Sequence, residues 1–80
     1  MKAQLKYIVY RDANGMEIIE AFGTAIIHAD YVAKHGIPIE WLISAGYATA
    51  DLECYGASTS LGLSSRPKQD TAMLRDEDDE

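Results

Sequence analysis

The sequence predicts an α+β domain: a small four-stranded antiparallel sheet built from two β-hairpins, with a short central helix and a C-terminal helix. Three observations predict it. Two aromatic and β-branched runs flank the turn Asp12-Ala13-Asn14-Gly15, a second pair of apolar runs covers residues 41–47 and 52–56, and helical spacing appears between and after the pairs. Helices segregated from an antiparallel sheet are expected to cover one of its faces.

The first strand is Lys6-Tyr7-Ile8-Val9-Tyr10-Arg11, and its return is Met16-Glu17-Ile18-Ile19-Glu20-Ala21-Phe22. Asp at the first turn position and Gly at the fourth suit a type I turn, with Gly15 at positive φ in a bulge. That register sets Arg11 opposite Glu17 and Val9 opposite Ile19. A two-residue Asn14-Gly15 turn would instead set Asp12 opposite Glu17, a like-charge pair that costs stability. The first register is preferred.

Gly23 and Thr24 end the strand, and a helix is expected over residues 29–35. His28 or Asp30 could cap it, Ala29, Val32 and Ala33 give it an apolar face, and Gly36 stops it. Ile37-Pro38-Ile39 leads in extended form to the second hairpin, since Pro38 lacks a donor and suits a strand start. Residues 57–65 are small and hydroxyl-rich and read as a connection. Arg66-Pro67 then opens a helix over residues 67–75, with Ser65 or Arg66 at the cap, Pro near the first helical position, and Ala72, Met73 and Leu74 as apolar side chains.

Eighty residues with 48% apolar and 25% charged side chains make one domain of modest core, for which self-association is a way to bury more surface. The net charge of −6 is concentrated: five of the thirteen acids lie in residues 76–80, leaving eight acids against seven bases, a net of −1. The domain is therefore set at residues 1–75 and a disordered acidic tail at 76–80. A near-neutral body without clustered Lys and Arg argues against direct nucleic-acid binding. The single Cys54 allows no intrachain disulfide and suits a reducing compartment, as a buried and inert thiol. The run from Tyr7 to Tyr10 is too short for a signal-peptide core, and nothing approaches a membrane span. The expectation is a soluble, cytoplasmic protein without membrane contact.

Candidate chemistry is sparse. His28 and His35 could share a helix face, yet zinc needs three or four ligands and only Asp30 or Cys54 could join them. They are read as surface or capping histidines, with no metal and no other cofactor. Gly56-Ala57-Ser58-Thr59-Ser60 lacks the second glycine of a nucleophile elbow, and the chain is too short for that fold. No acid–base pair can be placed, so no enzyme activity is expected.

Two segments stand out. Ser60, Gly62, Ser64, Ser65 and Arg66 combine hydroxyls, a glycine and a guanidinium beside a helix N-terminus, the parts of an anion or small-ligand site. Their structural alternative is a capped connection, with Leu61 and Leu63 plugging the core. Tyr10, Tyr31, Trp41, Tyr47 and Tyr55 are numerous for so small a core, and such side chains suit a protein interface or a homodimer surface.

Lys6-Tyr7-Ile8-Val9-Tyr10-Arg11-Asp12, His28-Ala29-Asp30, Ser44-Ala45-Gly46-Tyr47, and the stretch from Cys54-Tyr55-Gly56 through Ser58-Thr59-Ser60-Leu61-Gly62-Leu63 to Ser65-Arg66-Pro67 together resemble a family of small bacteriophage and prophage proteins of proteobacteria. The resemblance covers about residues 5–75 and leaves the acidic end outside it. It carries no catalytic or binding residue. It implies a viral accessory protein that acts in the host bacterial cytoplasm. With the composition, it favours a protein-interaction module that binds or inhibits a host factor, with anion or small-ligand binding at residues 60–66 as the alternative.

Overall fold

The computed structural model describes residues 4–78. A four-stranded antiparallel sheet runs in the order β2-β1-β3-β4, with β1 at Gln4–Arg11, β2 at Glu17–Gly23, β3 at Leu42–Thr49 and β4 at Cys54–Tyr55. The first turn forms as its residues dictate. Gly15 sits at φ 81° and donates to the Asp12 carbonyl at 2.9 Å, while Asp12 Oδ1 accepts the amides of Asn14 and Met16. Arg11 therefore faces Glu17 and Val9 faces Ile19.

Both faces of the sheet are covered, not one. Tyr7, Ile8 and Val9 are consecutive and all fully buried, so side chains that alternate in direction have core on each side. On one face Tyr7, Val9, Ile19 and Ala48 pack with Leu74 of helix α2 (Pro67–Asp78). On the other, Ile8, Phe22 and Ala45 pack with Val32 of helix α1 (His28–Lys34) and with Leu61 and Leu63. A bulge in β3 sets Val9 opposite Ser44 and Tyr10 opposite Leu42, so Ile43 is the extra residue and turns towards the α2 face.

Several boundaries differ from expectation, each for a tertiary reason. Helix α1 starts at His28 with Ile27 at the cap position and no cap from its own neighbours. The Ala29 amide donates instead to Ser60 Oγ at 3.2 Å, 31 residues away. Ala33 is exposed, so Val32 alone of the three apolar residues is fully buried. Gly36 ends the helix at φ 66° as foreseen. Trp41 lies in a 3₁₀ turn, Ile39–Trp41, and precedes β3. The fourth strand shrinks to Cys54–Tyr55 because Leu52 adopts φ 67°, which no strand tolerates.

Residues 57–65 hold more structure than a plain connection: β5 (Ala57–Ser58) and β6 (Leu63–Ser64) pair as a ribbon across the α1 face. Helix α2 runs three residues past Arg75, to Asp78. Arg75 donates from Nε and Nη2 to the Asp51 carbonyl, which ties that end of the helix to the turn between β3 and β4. Asp76, Glu77 and Asp78, expected in a disordered tail, are thus helical, while Asp79 and Glu80 lie outside the described residues.

Candidate functional site

The segment at residues 60–66 does not converge on one point. It starts on the α1 face of the sheet and ends on the α2 face, passing beside Gly46 of β3. Ser60 stays on the α1 side, bonded to Ala29 and to Ser58 Oγ at 3.3 Å. Gly62 takes φ 67° and donates to the Ser58 carbonyl, and Ser64 is exposed in β6 opposite Ala57. The Ser65 amide donates to the Gly56 carbonyl at 2.9 Å.

Arg66 has crossed to the α2 side, where the chain supplies its own anion. Asp70 is fully buried. Its Oδ2 accepts the Tyr7 hydroxyl at 2.6 Å, the Ser44 hydroxyl at 2.8 Å and the Arg66 amide at 2.8 Å. Its Oδ1 accepts Arg66 Nε at 3.0 Å and Nη2 at 2.9 Å, and that Nη2 also reaches Glu17 at 3.1 Å. The carboxylate in the first turn of α2 accepts the amide of Arg66, the residue before the helix, and so belongs to the helix start itself. Burial first, and the hydrogen bond to Asp70 second, push the Tyr7 phenol well up, so it remains a donor. Bonds from Arg11 and then Arg66 hold Glu17 below the usual carboxylate range.

The aromatic residues join into an array on the α1 face. Tyr10 stacks on Trp41 with centroids 6.3 Å apart, Tyr31 on Phe22 at 4.0 Å, and Tyr47 on Tyr55 at 5.9 Å. His28 bridges the last two pairs edge-on, against Phe22 and Tyr47. Of the five aromatic candidates only Tyr55 is exposed; the others are half-buried. Tyr10 and Tyr31 both donate to Glu20, at 2.7 and 2.6 Å. Their phenols are pushed up to about 12, by burial first and then by that carboxylate.

His28 corrects the surface or capping reading. It is buried with Nε2 2.9 Å from the Gly46 carbonyl, and burial lowers its pKa, so the neutral ring donates there. His35 lies against Tyr31 instead. Among the described residues no group of three His, Cys, Asp or Glu side chains is placed to hold a metal. Ser58 is buried with its hydroxyl accepting the Leu61 amide, a turn-stabilising bond. Burial raises the Cys54 thiol, which keeps it protonated.

No family model, no curated protein and no solved structure matches this chain.

The two edges of the sheet differ. At β4 the outward Cys54 amide donates to Thr71 Oγ1 of α2 at 2.8 Å, so the helix caps that edge. A groove of ≈ 770 Å³ runs there between β4 and α2, past Pro67, Lys68 and Ala72. At the far side β2 pairs, among the described residues, with β1 alone over its seven residues. The Asp12 amide to Met16 carbonyl bond sets the ladder's parity, which turns the peptide groups of Ile19 and Ala21 away from β1. A notch of ≈ 430 Å³ opens at this edge. Leu5, Ile19, Leu52 and Leu74 line it from the α2 face, and Glu20 and Tyr31 from the α1 face, with Ala21 and Glu77 completing the wall. Ile19, Glu20 and Ala21 of β2 in one lining place the notch where the two faces meet around this side of the sheet.

Sequence reasoning placed Glu17 opposite Arg11 but passed over Asp70 and Glu20. The signals were present. Asp70 shares a helix face with Met73 and Leu74, and Glu20 lies between Ile18 and Phe22 on one side of an alternating strand. A charge on an apolar face must find partners or not be buried.

Proposed function

We propose that this chain is a protein-interaction module that adds an extended segment of a partner protein to the open edge of β2. The observation that carries this reading is the notch shared by both faces at that edge. A seven-residue strand with outward peptide groups is a template for strand addition, and an adjoining pocket supplies side-chain selectivity. The aromatic array supports the role by holding the edge rigid: Tyr10 and Tyr31 fix Glu20, and Tyr31 forms part of the notch. A preorganised edge lowers the ordering cost of association.

The resemblance to phage and prophage proteins extends the proposal. The partner is then a host factor of the bacterial cytoplasm that the chain binds or inhibits. Among the described residues no helix is long and apolar enough to cross a membrane. Anion binding at residues 60–66 ranks second, because the Arg66 guanidinium and amide are already engaged by Asp70 and Glu17.

The test is a comparative pull-down from bacterial lysate with the full chain, an Ala21→Pro variant and a Lys68→Ala variant. Proline at an outward-facing edge position removes a donor without breaking the β1 ladder. A stoichiometric partner held by the parent and by Lys68→Ala, and lost by Ala21→Pro at unchanged circular dichroism, is the expected result. Retention by Ala21→Pro refutes the edge assignment.

A further inference from the structure

We infer that the segment seated on β2 is basic: it places a lysine or arginine side chain in the notch, with its aliphatic stem on Leu5, Leu52 and Leu74 and its charged end between Glu20 and Glu77. This inference rests on the proposed edge pairing and adds to it the chemistry of the partner. Among the described residues the lining of the notch has an apolar floor, two carboxylates and no basic side chain. A long cationic side chain fits such a site because its methylenes and its head group have opposite requirements.

Glu20 is a prepared acceptor. Two tyrosine hydroxyls hold its carboxylate in place, and two hydroxyl donors leave acceptor capacity on both oxygens. Glu77 stands across the notch on α2, two residues past Arg75, whose guanidinium is turned to the Asp51 carbonyl. The chain's ion pairs, among the described residues, involve Arg11 and Arg66 with Glu17 and Asp70, so none draws on Glu20 or Glu77. The C-terminal residues after Glu77, Asp78-Asp79-Glu80, are all acidic. A net charge of −6 favours a basic partner in the encounter and disfavours a second copy of the chain at this edge.

The experiment is a selection of random peptides on the immobilised full chain, followed by fluorescence anisotropy with the labelled winners. The expected winners carry Lys or Arg at one fixed position within a β-branched segment. Replacing that residue by norleucine, or Glu77 by Gln, weakens binding about tenfold, and Ala21→Pro also abolishes it. Added salt weakens the parent peptide more than the norleucine peptide.

Peptides that bind, are lost on Ala21→Pro, and ignore both norleucine and Glu77→Gln overturn the basic occupant while leaving the edge reading intact. Peptides indifferent to Ala21→Pro, or none selected at all, overturn both. A dimer in sedimentation that Ala21→Pro dissociates makes a second copy the occupant and likewise overturns the inference. Glu77 is exposed on the helix surface, so Glu77→Gln folds, and its melting curve checks that.

Discussion

Each face of this sheet is organised around one carboxylate that collects hydroxyl donors, yet the two differ in what surrounds them. Asp70 is fully buried and takes Tyr7, Ser44, the Arg66 amide and the Arg66 guanidinium. Glu20 takes Tyr10 and Tyr31, with no cation among the described residues, and lies half-buried beside the notch. A saturated, dry carboxylate fixes the fold, whereas a partly solvated one with spare acceptor capacity is available for recognition. The position of a charge relative to the sheet edge thus separates two chemically similar clusters.

The largest test of that difference is Asp70→Ala. It leaves the buried Tyr7 and Ser44 hydroxyls without their acceptor and Arg66 with Glu17 alone, and is expected to cost about 3–5 kcal/mol in urea denaturation. Glu20→Ala, measured in the same way, is expected to cost well under half as much. Equal losses would erase the distinction between a locked and an open carboxylate.

Gly46→Ala comes next. An added Cβ would lie 2.5 Å from the Tyr55 carbonyl oxygen, a backbone atom that moves only if the β3–β4 pairing moves. Such overpacking costs roughly 1–3 kcal/mol. Gly23→Ala meets nothing within 4 Å and is the matched control, read by thermal melting.

Tyr31→Phe removes one hydroxyl from Glu20 and is expected to cost about 0.5–1.5 kcal/mol. Tyr10→Phe should cost a similar amount, and the double variant should depart from the sum, since both act on one carboxylate. Strict additivity in the double-mutant cycle would show that the two phenols act separately.

The smallest effect is a pH dependence on the α1 face. Burial lowers the His28 pKa in the folded chain, so the unfolded chain binds the proton first. Stability from the neutral ring is therefore present above the ordinary value of about 6.5 and declines as pH falls below it. In His28→Gln the melting temperature should lose that slope between neutral pH and the acid limb, where Glu17 takes over. Glu17, held low by Arg11 and Arg66, gives stability that is lost as pH falls through its depressed value.

How much of this was legible depended on how far each determinant lay along the chain. The first hairpin was readable to the register because its turn, Asp12 to Gly15, and its ion pair, Arg11 with Glu17, are local. The start of α1 was not, because its cap arrives from Ser60. The burial of Asp70 was hidden in the same way: Tyr7 and Ser44 lie 63 and 26 residues away, and an acid in a first helical turn ordinarily faces solvent. The aromatic residues were recognised as a set, but the stacking that joins Tyr10 to Trp41 depends on a 3₁₀ turn that the apolar run concealed.

Thr71 bears on assembly as well as on packing. Its hydroxyl occupies the Cys54 amide at the β4 edge, so a strand arriving there meets a donor already spent. A sheet with two receptive edges could take a partner segment at each. With one edge closed, the proposed association stops after a single addition, at a stoichiometry of one to one. Removing that hydroxyl in Thr71→Val should free the Cys54 amide and let a second partner segment add at β4, raising the stoichiometry above one to one.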